Sequence, residues 1–231
     1  MRSYFVTATG TDIGKTYVTS NVIRAARQVG LEFSAIKPVL SGYDEATAST
    51  SDSARLLAAM GKKVTLRNIA AITPWRFAAP LSPDMAAARE ARQIDFATLI
   101  SFCEAASEAS PDVLLIEGVG GVAVPLDDTH LVVDLISALR LPAILVAGTY
   151  LGTLSHTITA VEALVVRGIP VAAIVLNESE GAPVSLEETA AALASRLPHP
   201  IHQIPRNTAA PPFRALVASL SEHEADAETG G

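Results

Sequence analysis

The chain contains, near its start, the segment Val6-Thr7-Ala8-Thr9-Gly10-Thr11-Asp12-Ile13-Gly14-Lys15-Thr16. It lies between a short apolar run that is typical of a strand and a longer run of helical periodicity. A turn in this position can direct backbone N–H groups at a phosphate, while Lys15 reaches the β and γ phosphates and Thr16 offers its hydroxyl to Mg²⁺. The segment therefore predicts a phosphate-binding loop between the first strand and the first helix.

The match to the ordinary phosphate-loop pattern is incomplete. That pattern places Gly five positions before Gly14, where this chain has Thr9, and a loop one residue longer would begin at Ala8. The alternative is a strand–helix turn in which Gly-Lys-Thr occurs by chance. We favour phosphate binding because strand, turn and helix follow each other in the order that the mechanism requires.

Apolar runs alternate with longer Ala-rich runs along the chain, the pattern of a mostly parallel sheet flanked by helices. The predicted strands span 4–7, 33–36, 113–116, 143–146, 171–176 and 200–204. The predicted helices span 15–29, 53–60, 96–109, 131–139, 153–166, 185–197 and 212–220. We expect a loop-rich insertion over 61–81. The sequence predicts one α/β domain of the P-loop NTPase type over 1–220 and a disordered acidic tail over 221–231.

The composition excludes several classes of protein. The chain has 231 residues, 17 basic and 24 acidic, so its formal net charge is −7. This acidic balance disfavours a nucleic-acid partner. The single cysteine, Cys103, excludes a disulfide within the chain and fits a reducing compartment. No apolar run approaches the roughly 18 residues that cross a bilayer, and the N-terminal apolar stretch is too short for a signal peptide. We expect a cytoplasmic protein without a membrane partner.

Two residues with useful chemistry end predicted strands. Lys37 precedes Pro38-Val39-Leu40-Ser41-Gly42, and Glu117 precedes Gly118-Val119-Gly120-Gly121. Ligands of open α/β sheets bind at the carboxyl ends of the strands, so both side chains should lie near the phosphate-binding loop. Taken alone, Lys37 is more typical of a solvated lysine at a strand end. Its joint placement with Glu117 favours a functional role.

Asp52 precedes the predicted helix 53–60, where the ordinary role of an aspartate is that of N-cap. Together with Thr16 and Glu117 it can instead complete a set of oxygen ligands for Mg²⁺. The glycines that follow Glu117 allow a close approach of backbone to phosphate. The sequence thus predicts one site for triphosphate and magnesium.

With these residues assembled, the sequence resembles the dethiobiotin synthetases, ATP-dependent enzymes that close the ureido ring in biotin synthesis. The resemblance covers residues 4–207. It departs from the family pattern at Ala8, where the family has Gly, and at Asp12, where it has Glu. We expect Ala8 to fit if its backbone avoids positive φ. The blocks that carry the resemblance are Gly10-Thr11-Asp12-Ile13-Gly14-Lys15-Thr16, Lys37-Pro38-Val39-Leu40-Ser41-Gly42, Ser82-Pro83, Glu117-Gly118-Val119-Gly120-Gly121 and Leu151-Gly152.

The resemblance implies the substrates 7,8-diaminononanoate, CO₂ and ATP. The catalytic residues it implies are Lys37, Lys15 and Thr11, and its Mg²⁺ ligands are Thr16, Asp52 and Glu117. The ATP-binding residues it implies are Asp12, Ile13, Gly14, Lys15, Thr16, Tyr17, Asp52, Glu117, Gly118, Val119, Gly120, Asn177, Glu178, Pro205, Arg206 and Asn207. The substrate-binding residues it implies are Ser41, Ser82, Pro83, Tyr150, Leu151, Gly152 and Thr153.

The resemblance also implies a homodimer, in which the turn at Leu151-Gly152 reaches the substrate tail bound by the neighbouring subunit. A helix N-terminus is a natural site for the carboxylate of that tail. The alternative is an ordinary helix start that is capped by Thr153 or Ser155.

Three other functions are compatible with this type of fold. A partition or division-site ATPase usually carries a second lysine early in the loop, where this chain has Thr9-Gly10-Thr11. A cobyrinate amidase normally has an additional glutaminase domain, for which no chain is left. A nucleotide-binding scaffold without catalysis would not need both Lys15 and Lys37.

Overall fold

The computed structural model of the protein describes residues 2–110, 112–206 and 211–222. Its strands are β1 (Arg2–Ala8), β2 (Phe33–Ile36), β3 (Val39–Ser41), β4 (Trp75–Phe77), β5 (Val113–Glu117), β6 (Ala143–Ala147), β7 (Val171–Asn177) and β8 (Ile201–Ile204). Its helices are α1 (Lys15–Gln28), α2 (Asp52–Ala59), α3 (Leu66–Ile72), α4 (Pro83–Arg89), α5 (Phe96–Glu108), α6 (Val132–Leu139), α7 (Thr153–Val165), α8 (Leu186–Ala194) and α9 (Pro211–Glu222), with a 3₁₀ helix over Glu45–Thr50. Each strand and helix predicted from the sequence is present, with ends shifted by up to three residues.

Six strands form one parallel sheet in the order β2-β5-β1-β6-β7-β8. Every residue of β5 and β6 is buried, as expected for strands that are covered by helices on both faces. The register pairs Val6 with Glu117 and Ala8 with Val146, so the carboxyl ends of the central strands lie at one edge. The phosphate-binding loop leaves β1 at that edge. The predicted fold class is confirmed.

The expectation of a loop-rich insertion over 61–81 is confirmed only in part. This segment contains α3 and β4, and β4 pairs in parallel with β3 in a small second sheet. Thr65 caps α3 by accepting a hydrogen bond from the Asn68 N–H at 3.1 Å, and Ile69 and Ile72 are buried. Strands of three residues carry too little periodicity to be recognised, and their pairing joins segments that are far apart in the sequence.

Two helix ends also differ from the prediction. Ser51, not Asp52, caps α2, because its hydroxyl accepts a hydrogen bond from the Ala54 N–H at 3.2 Å. Asp52 is therefore the first residue of the helix, and its carboxylate is available for other contacts. Helix α9 includes Ser221 and Glu222, which the sequence placed in the tail. The remainder of the predicted tail, residues 223–231, lies outside the described residues.

Two further residues singled out in the sequence, Cys103 and Ala8, are buried. Cys103 lies on the buried face of α5, and burial raises the pKa of its thiol to about 12. Ala8 ends β1 and is not among the residues with positive φ. No helix in the described part of the chain combines the length and the apolar character needed to span a bilayer.

Ala91, just after α4, has a φ of 49°, in the left-handed region that favours glycine. We predict that Ala91→Gly raises the free energy of unfolding by up to about 1 kcal/mol. The left-handed conformation costs an L-residue roughly 1–2 kcal/mol, whereas the added freedom of glycine costs about 0.5–1 kcal/mol. The matched control is Ala88→Gly, an exposed position within α4, which should lower stability by about 1 kcal/mol. Urea unfolding of both variants tests this, and a loss of stability in both would contradict it.

Candidate active site

The phosphate-binding loop has a conformation that explains its residue types. Gly14 has a φ of 100°, and a Cβ at this position would lie 2.4 Å from Nδ2 of Asn177. That Asn177 amide donates a hydrogen bond to the Ile13 carbonyl at 3.0 Å. Asp12 has a φ of 58°, a conformation that aspartate tolerates better than most residues. Glycine is therefore required where the loop meets both α1 and the end of β7.

The glycine-rich segment 118–121 packs against the start of this loop. The Gly118 N–H donates to the Val6 carbonyl at 2.9 Å, extending the pairing of β5 with β1. A Cβ on Gly121 would lie 3.2 Å from both the Ala8 carbonyl oxygen and the Gly10 nitrogen. Because a side chain there would press on backbone, the two segments can approach this closely only with glycine at 121.

The amine of Lys15 bridges these two segments. It donates hydrogen bonds to the Gly10 carbonyl at 3.2 Å and to the Gly120 carbonyl at 2.6 Å. Its side chain is buried, yet no carboxylate lies within ion-pair distance of its nitrogen among the described residues. The ammonium therefore remains available to an anion that enters the loop.

Lys37 is buried, so the interpretation of it as a solvated strand-end lysine is wrong. Its Nζ lies 2.8 Å from Oε1 of Glu117 and 3.2 Å from Oδ2 of Asp52, and only 3% of the residue is exposed. The Thr16 hydroxyl donates to the same Glu117 oxygen at 2.5 Å. The ends of β2 and β5 and the starts of α1 and α2 thus meet in one cluster, which we call the Lys37 cluster: Thr16, Lys37, Asp52 and Glu117.

The two lysines differ in their electrostatic environment. Burial, followed by repulsion from Lys37, lowers the pKa of Lys15 to about 8. Burial is also the largest single influence on the pKa of Lys37 and by itself would lower it. The charges of Glu117 and Asp52 outweigh burial and raise the pKa of Lys37 above its ordinary value. Lys37 is therefore a permanent cation, whereas the charge of Lys15 depends on what binds beside it.

Asp52 is ionised in spite of its surroundings. Burial is the largest single influence on the pKa of its carboxyl and raises it. The nearby Lys37 ammonium, the Thr16 hydroxyl and the Arg55 charge together outweigh burial and lower the pKa below its ordinary value. The cluster consequently holds an ionised carboxylate next to the loop that would receive phosphate.

A cavity of about 740 Å³ opens from Lys15, Thr16, Lys37 and Asp52, whereas the fully buried Glu117 does not line it. The predicted site residues that line it are Thr11, Asp12, Gly14, Lys15, Thr16, Tyr17, Lys37, Ser41, Asp52, Ser82, Pro83, Val119 and Gly120. Residues not predicted also contribute, namely Leu40, Gly42, Arg55, Pro80, Leu81 and Val124. Of these, Arg55 carries a charge, and its position three residues after Asp52 on a helix was the signal that could have identified it.

The oxygen atoms of the Lys37 cluster suit a hard divalent cation. Thr16, Asp52 and Glu117 offer one hydroxyl and two carboxylates, the donors that Mg²⁺ prefers. Oε2 of Glu117 is buried and has no hydrogen-bond partner among the described residues. A buried carboxylate oxygen without a partner is costly, so this atom fits a position next to a cation or its bound water.

Other predicted residues lie away from the cavity. Asn177 contacts the loop, and Oε2 of Glu178 accepts a hydrogen bond from the Arg206 N–H at 2.7 Å. Pro205 precedes Arg206, which also pairs with Glu180 at 2.8 Å. The predicted residue Asn207 lies outside the described residues. Asn177, Glu178, Pro205 and Arg206 lie where β7 and β8 end.

The predicted substrate-tail residues do not line the cavity of their own chain. Leu151 is 88% exposed, whereas Thr153 is buried and donates to the Gly148 carbonyl at 2.6 Å. Gly152, with a φ of 96°, occupies the N-cap position of α7. The alternative of a helix capped by Thr153 or Ser155 is wrong, because no side chain caps this helix.

A phosphate-binding loop between β1 and α1 of a parallel sheet defines a P-loop nucleotide-binding protein. The family model described as an AAA domain matches residues 2–213. Curated relatives include ATP-dependent dethiobiotin synthetases from Acidiphilium cryptum, 50% identical over 85% of this chain and 89% of the relative, and from Methylobacterium nodulans, 47% identical over 84% and 88%. The chain belongs to the family of ATP-dependent dethiobiotin synthetases.

Solved structures with a similar fold are more distant. The MinC:MinD cell division protein complex of Aquifex aeolicus matches 96% of this chain and 86% of its own with a TM-score of 0.54 and 14% identity. A ParA family ATPase from Chlorobium tepidum matches 95% and 90% with a TM-score of 0.51, also at 14% identity. At this level of identity the likeness shows the fold alone.

The lowered pKa of Lys15 makes the stability of the nucleotide-free protein depend on pH. The amine loses its proton near pH 10.5 when the chain is unfolded and near pH 8 when it is folded. Between these values the unfolded state binds the extra proton, so stability rises with pH. Below pH 8 both states are protonated, and the contribution is constant.

We therefore predict that Lys15→Met loses this pH dependence. The difference in free energy of unfolding between wild type and variant should change by about 3 kcal/mol between pH 8 and 10.5, in favour of wild type as the pH rises. Chemical unfolding across this range measures it. The exposed Lys63→Met is the control, with a flat difference. A flat difference for Lys15→Met would contradict the prediction.

Proposed function

We propose that the protein catalyses the ATP-dependent conversion of 7,8-diaminononanoate and CO₂ to dethiobiotin, with release of ADP and phosphate. The relatives named above bear the name of this reaction. The observation that carries the proposal in this chain is the buried Lys37 ammonium, held by Glu117 and Asp52 in the same cavity as Lys15. Two lysines that face one cavity beside a phosphate-binding loop suit a reaction in which phosphoryl charge moves.

The reaction proceeds in three steps. One uncharged amine of the substrate forms an N–C bond to CO₂ and loses a proton, which gives a carbamate. A carbamate oxygen then attacks the γ-phosphorus of ATP, the bond to ADP breaks, and a carbamic–phosphoric anhydride results. The second amine attacks the carbamate carbon, closes the ring and expels phosphate. The protein must align these groups and offset negative charge.

Each polar residue of the cavity has its own role in this reaction. Lys37 is a fixed cation that stabilises the carbamate and the transferring phosphoryl group. Lys15 faces the phosphates from the loop. Their negative charge would raise its pKa, which burial lowers, and so keep the amine protonated. Thr11 lines the cavity and offers a hydroxyl to phosphate or carbamate. Ser41 has a buried hydroxyl without a partner among the described residues, which suits it to contact the diamine.

Mg²⁺ would be held by Thr16, Asp52 and Glu117, directly or through water. A divalent cation held there would offset the negative charge of the phosphates. The fit rests on the donor set and on the unpartnered Oε2 of Glu117. Within the cluster, Lys37 keeps Asp52 ionised, as the lowered pKa of that carboxyl indicates.

The ends of the two substrates extend from this centre. Asn177, Glu178, Pro205, Arg206 and Asn207 would surround the base of ATP, and an Asn amide can pair with both a donor and an acceptor edge. Ser82 and Pro83 would flank the diamine. We further propose a cytoplasmic homodimer in which Tyr150, Leu151, Gly152 and Thr153 serve the neighbouring subunit. Their position away from the cavity of their own chain supports this.

The partition or division-site ATPase is the alternative. Its support is the likeness to MinD and ParA structures, which at 14% identity concerns the fold alone. No residue of the described loop supplies the second lysine that such switches carry.

Mass spectrometry of the products tests the proposal. Purified protein is incubated with 7,8-diaminononanoate, bicarbonate, Mg²⁺ and ATP. We expect a product heavier than the diamine by one CO₂ less one water, together with phosphate release that requires the diamine and stops on chelation of Mg²⁺. Phosphate release stimulated by DNA or lipid but not by the diamine would support the switch instead.

Substitution of Lys37 separates its role from nucleotide binding. We predict that Lys37→Ala and the less disruptive Lys37→Gln lower kcat at least about a hundredfold, because a cation next to the transferring phosphoryl group is lost. The dissociation constant for ATP should change far less. Lys63→Ala, an exposed lysine, is the control. Weakened ATP binding with normal turnover at saturation would contradict the assigned role.

A further inference from the structure

Tyr150 contacts the phosphate-binding loop of its own chain. Its hydroxyl lies 3.2 Å from Oγ1 of Thr9 and 3.0 Å from Nδ1 of His156. The first contact joins residues 141 positions apart in the sequence, at the point where the loop leaves β1. The resemblance implied that this tyrosine contacts the substrate tail, a role that does not require a bond to Thr9.

The ring of Tyr150 is held in place from several sides. A Cβ on Gly148 would lie 2.8 Å from its Cδ1, so the ring packs directly on the backbone there. The ring of His156, one turn into α7, lies 5.6 Å away between centroids. The Tyr150 carbonyl accepts a hydrogen bond from the Thr153 N–H at 3.1 Å. The hydroxyl is thus presented to Thr9 by an ordered side chain.

Thr9 and Gly10 are in turn connected to Lys15. The Thr9 N–H donates to the Val146 carbonyl at 3.0 Å, and the Gly10 carbonyl accepts the bond from Lys15 at 3.2 Å. A Cβ on Gly121 would lie 3.2 Å from the Gly10 nitrogen. The close approach of Gly121 and the contact of Tyr150 with Thr9 thus both restrict this part of the loop.

We propose that Tyr150 is a positioning residue for nucleotide binding, acting through its hydroxyl on Thr9 and hence on the Gly10 carbonyl that orients Lys15. The inference rests on the nucleotide site of the proposed function and adds a residue to it. Without the hydroxyl, the loop must be ordered when the triphosphate binds, and affinity falls by the free energy of that ordering. The interaction with ATP therefore weakens before any diamine is present.

Calorimetric titration with ATP and Mg²⁺, without diamine or bicarbonate, tests this. Tyr150→Phe keeps the ring and removes the hydroxyl, and Thr9→Ala removes the other partner of the same bond. Each should raise the dissociation constant for ATP about 3- to 10-fold, the effect of one lost neutral hydrogen bond. The double variant should bind no more weakly than either single variant, because both remove one interaction.

Tyr4→Phe is the matched control. It also removes a tyrosine hydroxyl with a long-range bond, to the Leu220 carbonyl at 2.8 Å, and it lies at the start of β1, away from the loop. It should lower the midpoint of thermal unfolding and leave the affinity for ATP unchanged. Tyr150→Phe should instead weaken ATP binding and leave the midpoint of thermal unfolding unchanged.

Four outcomes separate the possibilities. An ATP affinity of Tyr150→Phe within twofold of wild type would overturn the inference, as would additive effects of the two substitutions. A raised KM for diaminononanoate with unchanged ATP affinity would also overturn it and leave Tyr150 with its role at the substrate tail alone. Failure of the wild-type protein to bind ATP would instead refute the proposed function.

Discussion

The buried ion pair between Lys37 and Glu117 is the interaction on which the site depends. Removing two charges from water costs several kcal/mol each, and their attraction offsets that cost only with good geometry and further hydrogen bonds. Here Asp52 and Thr16 supply those bonds. Because the partners come from two strand ends and two helix starts, the ion pair forms only when these elements meet. The parallel register of β1, β2 and β5 brings them to one edge.

Lys15, the second lysine of the site, is held differently from Lys37. It has carbonyl oxygens for partners instead of carboxylates, and burial lowers its pKa to about 8. A fixed cation next to a cation that lacks a counter-ion is unfavourable in the empty protein and favourable once a triphosphate enters. The repulsion between Lys15 and Lys37 thus lowers the pKa of Lys15 in the empty protein, and negative charge placed beside Lys15 would raise it again.

The sequence predicted the parallel sheet, its flanking helices and the convergence of Lys15, Lys37 and Glu117, because buried strands and strand-end residues leave local patterns. It did not predict β3 and β4, which are short and depend on long-range pairing, or the short helices α3 and α4. It left Asp52 with two possible roles, helix cap or Mg²⁺ ligand, because the N-cap depends on which neighbouring residue folds into that position, and here it is Ser51. The bond from Tyr150 to Thr9 carries no local signal, because 141 residues separate the partners.

A crystal structure with a non-hydrolysable ATP analogue and Mg²⁺ tests the central claim most directly. We expect the triphosphate along residues 10–16, the γ-phosphate between Lys15 and Lys37, and the metal beside Glu117 and Thr16. A triphosphate bound elsewhere, or a Lys37 amine that has left Glu117 and points into bulk solvent, would contradict it.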